Sequence, residues 1–156
     1  MIAEHIVNGV LLVHKEVGPT SHDIVGRVRR LTGEKRVGHA GTLDPFAEGL
    51  LIVLVSRDAT RRQQEFLKMD KTYEAVLHLG ATSTTDDVTG EITSLPSSLP
   101  PAESDVSAVL KTFVGTIQQL PPPFSAKKIK GVRAYALARR VIMPQLTPVS
   151  KTVHEA

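Results

Sequence analysis

The residues best suited to chemistry lie in one glycine-rich run, residues 38–51, which reads Gly-His-Ala-Gly-Thr-Leu-Asp-Pro-Phe-Ala-Glu-Gly-Leu-Leu. Asp44 is followed by Pro45, which disfavours helical backbone angles at the preceding residue and favours extended ones. Gly41 and Gly49 permit tight turns and a close approach of the backbone to a ligand. A carboxylate fixed on such a loop is suited to nucleophilic or acid–base catalysis. The alternative is a turn in which Asp44 only accepts hydrogen bonds from neighbouring N–H groups.

This run resembles the catalytic motif of the bacterial TruB family of tRNA pseudouridine synthases, which is related to the archaeal and eukaryotic dyskerin-type enzymes. The family pattern is Gly-His-x-Gly-Thr-Leu-Asp-Pro followed by a small residue, Gly and Leu, and the chain matches each fixed position. One short motif is weak support by itself. Further matching segments follow in the family's order: 9–13 with Lys15, Gly18, Thr20 and Ser21; 71–73; Leu79 and Gly80 with Asp87 and Gly90; and 125–127 with Gly131, Ala134, Tyr135, Ala138 and Arg139.

The resemblance implies an isomerase, a tRNA pseudouridine(55) synthase that acts on the T-loop uridine of tRNA. Such an enzyme breaks the C1′–N1 bond of uridine, turns the uracil and rejoins it to the sugar through C5. Nothing is oxidised and no group leaves, so no cofactor is implied. The sequence agrees, since it contains no dinucleotide fingerprint, no phosphate-binding loop and no Cys/His metal-ligand set.

The resemblance also assigns roles to individual residues. Asp44 is the essential carboxylate, either as nucleophile or as the base that starts elimination at the sugar. Tyr73 corresponds to the family's pocket tyrosine, which stacks on the target base and helps remove the C5 proton; the alternative is an aromatic packed on a sheet face. His39 corresponds to the histidine that helps hold the everted nucleotide. The other expected substrate-binding residues are Lys15, Gly41 and Thr42, and Lys15 with the Thr20–Ser21 pair is expected to stabilise the loop rather than react.

Basic residues are concentrated in three stretches, although the net charge is only +3. Residues 27–36 contain five basic side chains and one acid, a second group lies within 57–71, and residues 121–140 contain six basic side chains and no acid. Such segregation gives a positive face that attracts phosphates, although any single stretch could be a solvated helix face. The expected partner is the T-arm stem-loop of tRNA, contacted by Lys127, Lys128, Lys130 and Arg133, with Arg29, Arg30 and Arg36 as secondary candidates.

Apolar patterning predicts the elements that position the loop. Residues 9–14 are predicted as a buried strand and residues 50–55 as an interior strand. Ser21 is a good N-cap for a helix that carries apolar residues at helical spacing until Gly33. Residues 57–69 are predicted to be helical, and the alternation over 72–79 predicts a strand with two different faces.

The second half of the sequence predicts a looser organisation. Residues 80–90 are a Thr/Asp-rich loop, residues 95–101 are linker-like, residues 103–113 are helical, and residues 134–140 are helical after a triple proline. Short strands mixed with helices predict an α+β fold. The resemblance implies a mixed, mainly antiparallel central sheet with flanking helices.

Composition sets the broad class. The chain has 156 residues, of which 41% are hydrophobic and 22% are charged, as in an ordinary globular domain. The absence of Cys excludes disulfides and thiolate metal sites and agrees with a reducing cytoplasm. No signal-peptide pattern and no apolar run of bilayer length occur. We therefore expect a cytoplasmic protein with no membrane, no metal and no obligate protein partner, acting as a monomer.

The chain departs from the family pattern after Arg139. The family continues with Gly and a strand bearing an Arg, whereas this chain reads Arg-Val-Ile-Met-Pro-Gln. The family's next motif, with an arginine that pairs with the catalytic aspartate, would lie beyond Ala156, as would its C-terminal RNA-binding domain. The expected organisation of residues 1–156 is thus the N-terminal portion of a synthase catalytic domain, C-terminally incomplete. It is a fragment, a natural short form, or a degenerate relative that binds tRNA without catalysis.

A third class is a small glycosidase that uses Asp44 together with Glu48. The two acids are only four residues apart with Pro45 between them, and the chain has no Trp on which a sugar could stack. The sequence therefore disfavours this class.

Overall fold

The structure is a computed structural model, and it describes residues 7–95, 100–120, 128–129, 132–133 and 147–156. The chain forms two compact units, Met1–Ala75 and Val76–Ala156. Among the described residues, no helix combines the length and the apolar character that spanning a bilayer requires.

The first unit is built on a three-stranded antiparallel sheet in the order β1-β3-β2. Its strands are β1 (Gly9–Lys15), β2 (Val37–Ala40) and β3 (Gly49–Val55). Strand β3 pairs along its whole length with β1, and its C-terminal half pairs with β2. The interior strand predicted over residues 50–55 is therefore confirmed.

Helices cover both faces of β3. On one face, Leu51, Val53 and Val55 form a buried cluster with Val37 and with three residues of α1 (Ser21–Thr32), namely Ile24, Val25 and Val28. On the other face, Leu54 and Ala40 pack with Ala59 of α2 (Arg57–Arg61), and Phe66 of α3 (Gln63–Leu67) lies against them. A strand buried on both faces must be a nearly continuous apolar run, which explains the sequence Leu-Leu-Ile-Val-Leu-Val.

Strand β1 confirms the predicted strand but not its burial. Leu11 is 39% exposed and Leu12 is 71% exposed. The reason is position, because β1 lies at the edge of the described sheet and α1 packs over β2 and β3. Of the strand's seven residues, Lys15 alone is buried.

Helix α1 begins one residue earlier than the sequence suggested. Its N-cap is Thr20, not Ser21, because Thr20 and Asp23 form a reciprocal capping box. The Thr20 hydroxyl accepts from the Asp23 N–H, and the Asp23 carboxylate accepts from the Thr20 N–H at 2.8 Å. The helix ends at Gly33, whose φ of 70° is the left-handed cap conformation that the sequence predicted.

The helical prediction for residues 57–69 is confirmed with one break. Helices α2 and α3 are separated at Arg62, whose N–H bonds to the carbonyl of Ala59, three residues back. The Thr60 hydroxyl donates to the carbonyls of Ser56 and Arg57, which is the local competition that Thr brings to a helix.

The strand predicted over residues 72–79 is wrong. Residues 71–78 have no regular secondary structure, and their side chains are exposed. Alternation predicts a strand only where one face is buried against something. In the part of the chain that the structure describes, no strand pairs with this segment and no layer covers it.

The second unit consists of short antiparallel pairs and one helix. The loop predicted over residues 80–90 is wrong at its start, where β4 (Ala81–Ser83) pairs with β5 (Ile92–Ser94) in a hairpin. Helix α4 (Glu103–Lys111) confirms the helix predicted over 103–113. The remaining pairs are β6 (Gly115–Gln119) with β9 (Val149–Val153), and β7 (Lys128–Ile129) with β8 (Val132–Arg133). The predicted helix 134–140 and part of the linker-like segment 95–101 lie outside the described residues.

The structure confirms the predicted α+β class. Every ladder among the described residues is antiparallel, and the largest sheet has three strands.

The capping box gives a stability prediction. Replacing Thr20 with Ala should lower the free energy of unfolding by about 1 kcal/mol, because the Asp23 N–H loses its acceptor. Thr20→Ser keeps the hydroxyl and should stay close to the parent protein. Urea unfolding followed by circular dichroism checks both variants. Equal stability of Thr20→Ala and Thr20→Ser would contradict the cap.

The same capping box predicts how the stability of the protein depends on pH. Hydrogen bonds from the Thr20 hydroxyl and N–H lower the pKa of Asp23 below its ordinary value of 3.8. A lowered carboxyl pKa in the folded state gives stability that is present above the ordinary pKa and is lost as the pH falls through the lowered value. Thr20→Ala should therefore lose less stability than the parent on acidification below about pH 4.

Candidate active site

The loop that carries Asp44 connects two neighbouring strands of the first unit. It leaves β2 after Ala40 and enters β3 at Gly49, directly opposite Lys15 at the end of β1. Gly41 has a φ of 94°, a backbone conformation that residues with a side chain rarely adopt. The loop therefore leaves the sheet at the end where β1 also finishes and where α1 begins.

Ser21 holds the residue that precedes Asp44. Its hydroxyl accepts from the Leu43 N–H at 2.9 Å and donates to the Leu43 carbonyl at 3.0 Å. Ser21 is 2% exposed, so water does not compete strongly for either bond. One side chain from α1 thus fixes both backbone polar groups of Leu43.

A second pair of contacts holds the residues that follow Asp44. The Gly18 N–H donates to the Pro45 carbonyl at 2.8 Å, and the Ala47 N–H donates to the Asp44 carbonyl at 3.1 Å. The Asp44 side chain itself is exposed. The loop therefore presents a solvent-accessible carboxylate on a backbone that is held on both sides.

His39 closes the start of the loop. Its Nδ1 lies 2.7 Å from the carbonyl oxygen of Gly41, and the His39 carbonyl accepts from Gln63 Nε2 at 2.6 Å. A carbonyl oxygen only accepts, so Nδ1 must carry the proton in this contact. In the neutral imidazole, Nε2 is then left as an acceptor.

Lys15 is fully buried, with 0% exposure. Its ammonium donates at 3.0 Å to the carbonyls of Glu16 and Pro19, which belong to the turn between β1 and α1. These contacts order the same turn that supplies Gly18 to the loop. In this geometry Lys15 faces the protein backbone and not the solvent.

Tyr73 lies on the unpaired segment that follows α3 and is 69% exposed. Lys71, two residues earlier, anchors the start of that segment by donating to the carbonyls of Leu67 and Met69. A Cβ built on Gly41 would lie 4.0 Å from Lys71 Cε, so the segment begins beside the loop. Within the described residues, Tyr73 makes no hydrogen bond and no ring contact.

The basic residues expected to contact RNA are only partly described. Lys128 and Arg133 are directly paired in the β7–β8 ladder, and Lys127 and Lys130 lie outside the described residues. Arg29 donates to the Val37 carbonyl at 2.9 Å, and the side chains of Arg30 and Arg36 are exposed. Lys128 and Arg133 belong to the second unit, whereas Asp44 belongs to the first.

Comparison with known proteins decides the family. The family model described as TruB family pseudouridylate synthase (N terminal domain) matches residues 29–156. The chain belongs to the TruB family.

Curated relatives agree with this assignment. The chain is 45% identical over 148 residues to tRNA pseudouridine synthase B of Bacillus licheniformis, covering 94% of this chain and 48% of the relative. It is 45% identical over 150 residues to the protein of the same name from Thermobifida fusca, covering 96% of this chain and 51% of the relative. The TruB chain described here thus spans about half the length of these relatives.

A solved structure shows the same fold. The crystal structure of a Cbf5-Nop10-Gar1 complex contains a chain that is 31% identical and aligns with a TM-score of 0.51. The alignment covers 80% of this TruB chain and 32% of the other.

Sequence reasoning missed two residues around the loop. Gln63 donates a hydrogen bond to the His39 carbonyl, and Lys71 donates to the Leu67 carbonyl at the start of the segment that leads to Tyr73. Lys71 belongs to the family's Lys-x-Tyr pattern, so its position there was the available signal. Gln63 lies in a polar helix without such a signal. In the described residues of this TruB chain, no group of three or more His, Asp or Glu side chains could hold a metal ion.

The contact between Ser21 and Leu43 gives a direct prediction. Ser21→Ala would leave the Leu43 N–H and carbonyl without their partner and should lower the free energy of unfolding by about 1–3 kcal/mol. Relative to the parent protein, Ser21→Ala should also accelerate deuterium exchange of the Leu43 amide by a larger factor than exchange of the Val53 amide of β3.

Thr32→Ala is the matched control, because Thr32 bonds to the Val28 carbonyl near the other end of α1. It should leave the exchange of Leu43 relative to Val53 unchanged. The assignment of Ser21 fails if Ser21→Ala accelerates both amides by the same factor.

Proposed function

We propose that this chain acts in tRNA modification as a pseudouridine synthase, with Asp44 as its catalytic carboxylate. The observation that carries the proposal is the exposed Asp44 on a loop whose flanking residues, Leu43 and Pro45, are fixed by Ser21 and Gly18. The family assignment and the names of the curated relatives support the reaction class.

The loop geometry suits an isomerisation at the sugar. A reacting group gains most when it is held in place before the substrate arrives. The backbone on both sides of Asp44 is held, while the carboxylate is open to a nucleotide. Asp44 attacks C1′ or removes a proton to start elimination, and either route needs a carboxylate placed against the ribose.

The target uridine must leave its stack before Asp44 can reach it. Extruding a nucleotide costs a few kcal/mol, which contacts to the flipped base and its neighbours have to offset. We assign part of this task to His39, whose Nε2 is available as an acceptor, and to the neighbouring Gly41 and Thr42 backbone. Tyr73 is exposed and has its ring available for stacking on the extruded uracil.

We assign binding of the RNA phosphate backbone to the basic residues of the second unit. Lys127, Lys128, Lys130 and Arg133 supply a concentrated positive charge, and phosphate contacts of this kind position an RNA without reading its sequence. Lys15 is assigned to ordering the loop, since its ammonium faces the backbone. The specific target, uridine 55 of the T-loop, follows from the family resemblance and is part of the proposal.

We further propose tRNA in the cytoplasm as the setting of the reaction. The curated relatives are named for tRNA, which supports this partner. The solved relative is a complex with Nop10 and Gar1. Our expectation that this chain works without an obligate protein partner therefore stays a prediction.

The decisive test is Asp44→Asn. Release of tritium from C5-labelled uridine in a tRNA T-arm stem-loop measures turnover, and a titration with the same RNA measures binding. Loss of the carboxylate should lower kcat by about 10⁴-fold or more, because the reaction has no other route to the sugar. The Kd should change little, because Asn keeps the shape and the loop contacts use the backbone.

Glu48→Gln is the matched control, with the same change of charge in the same loop. It should keep its turnover, which also separates a synthase from a two-carboxylate glycosidase. Binding of the RNA by the parent chain without any tritium release would instead identify a family member that recognises RNA without catalysis.

Tyr73 gives a separate prediction. Tyr73→Phe keeps the ring but removes the hydroxyl, so kcat should fall by about 10²–10⁴-fold with little change in KM if the phenol takes part in proton removal. Tyr73→Leu removes the ring as well and should also raise KM. Equal kcat for the parent and Tyr73→Phe would limit Tyr73 to stacking.

A further inference from the structure

A groove with a volume of about 590 Å³ runs along the solvent-facing side of α1 in the first unit. The turn of Gly18 and Pro19 forms one end, and His22, Asp23, Gly26, Arg27 and Arg30 form its floor and sides. Of the residues that line the groove, Gly18 alone makes one of the contacts described above that hold the Asp44 loop.

Helical spacing explains why these residues share one face. Asp23, Gly26, Arg27 and Arg30 follow the i, i+3, i+4, i+7 pattern. The buried residues of α1 follow the same pattern two positions earlier, at Ser21, Ile24, Val25 and Val28. Two positions correspond to about 200° around a helix, so the groove lies opposite the face that packs on the sheet.

The groove presents the positive charges of Arg27 and Arg30, and the Arg27 charge also acts on the nearby Asp23 carboxylate. Among the described residues, neither the Arg27 nor the Arg30 guanidinium makes a hydrogen bond or an ion pair. Arg29, between them, is engaged by the Val37 carbonyl. The carboxylate in the groove, Asp23, already accepts from the Thr20 N–H and hydroxyl.

Gly26 opens the floor of the groove. Glycine in a helix interior costs up to about 1 kcal/mol relative to alanine, so its presence asks for a reason. A Cβ built there would lie 3.7 Å from an Arg30 guanidinium nitrogen, which is ordinary van der Waals contact. Glycine is thus not required by crowding, and what it provides is space between the two arginines.

The groove is continuous with the Asp44 loop. Gly18 lines the groove and donates its N–H to the carbonyl of Pro45, the residue after Asp44. The Gly18 turn therefore borders both the groove and the loop that carries Asp44.

From these observations we infer that the groove on α1 binds a phosphodiester of the RNA strand that continues from the nucleotide held at Asp44. Guanidinium groups suit this ligand because their planar forks match phosphate oxygens. The inference rests on the proposed function for the identity of the ligand as RNA. It adds a binding site in the first unit to the basic segment of the second.

The test compares two double variants of the full chain that remove the same charge. Arg27→Gln/Arg30→Gln empties the groove of its guanidiniums, and Lys111→Gln/Lys151→Gln removes two exposed cations of the second unit. The Kd of the tRNA T-arm stem-loop is measured by fluorescence anisotropy over a series of KCl concentrations.

The groove variant should weaken binding by about tenfold or more near 0.1 M salt, and the slope of log Kd against log salt should fall by about 2, about one per lost phosphate contact. The control should stay within about twofold of the parent, since salt screens the general effect of exposed charges that make no phosphate contact. Equal losses in both variants would overturn the inference by showing a net-charge effect only. No change in the groove variant, or no salt-dependent binding by the parent, would overturn it as well.

A second pair tests the groove without touching the arginines. Gly26→Ala and Gly26→Glu both add a Cβ, but only Glu places a carboxylate between the guanidiniums. Gly26→Glu should weaken binding by more than Gly26→Ala, and equal binding would contradict the site. These readouts are binding constants, so an absence of pseudouridine formation, which would end the proposed function, leaves them interpretable.

Discussion

The packing of α1 on the central strand is the constraint on which the rest of the first unit depends. Burial of Ile24, Val25 and Val28 against β3 is worth about 1.5–3 kcal/mol for each side chain. The hydrogen bonds between Ser21 and Leu43 contribute only about 1 kcal/mol each. Packing therefore sets where the helix lies, and this position places its first residue, Ser21, beside the loop. The hydrogen bonds decide the orientation of a loop that apolar burial has already brought near.

Two charged groups at this end of the sheet have opposite environments. The Lys15 ammonium is buried and bonded to backbone carbonyls, whereas the Asp44 carboxylate is exposed on the loop. A buried ammonium is costly unless it is well hydrogen-bonded, so its position must be rigid. The turn that satisfies it also carries Gly18, which holds Pro45. The buried Lys15 thus helps to fix the loop that carries the Asp44 carboxylate.

The sequence predicted what depends on local pattern and missed what depends on distant partners. The apolar run of β3, the helix ending at Gly33 and the Asp44 loop could be predicted, because periodicity, capping chemistry and a specific motif each act over a few residues. The exposure of β1 and the irregular segment at 72–79 could not, because burial depends on which layers cover a strand. Ser21 was assigned to the cap and, through the family resemblance, to stabilising the loop, but its hydroxyl's partner, Leu43, lies 22 residues away. No local rule predicts that partner.

The two faces of α1 meet different requirements, and in the proposed synthase one short helix would serve both chemistry and recognition. The face with Ser21, Ile24, Val25 and Val28 must be apolar and fixed, since the loop geometry depends on it. The opposite face is free of that constraint and carries Gly26 with two arginines that form no ion pair among the described residues. The glycine there lowers the stability of the helix. Ser21, on the buried face, contacts the loop at Leu43, and the Gly18 turn that precedes α1 contacts it at Pro45. A strand of RNA held along the outer face would therefore be positioned by the same helix that positions Asp44.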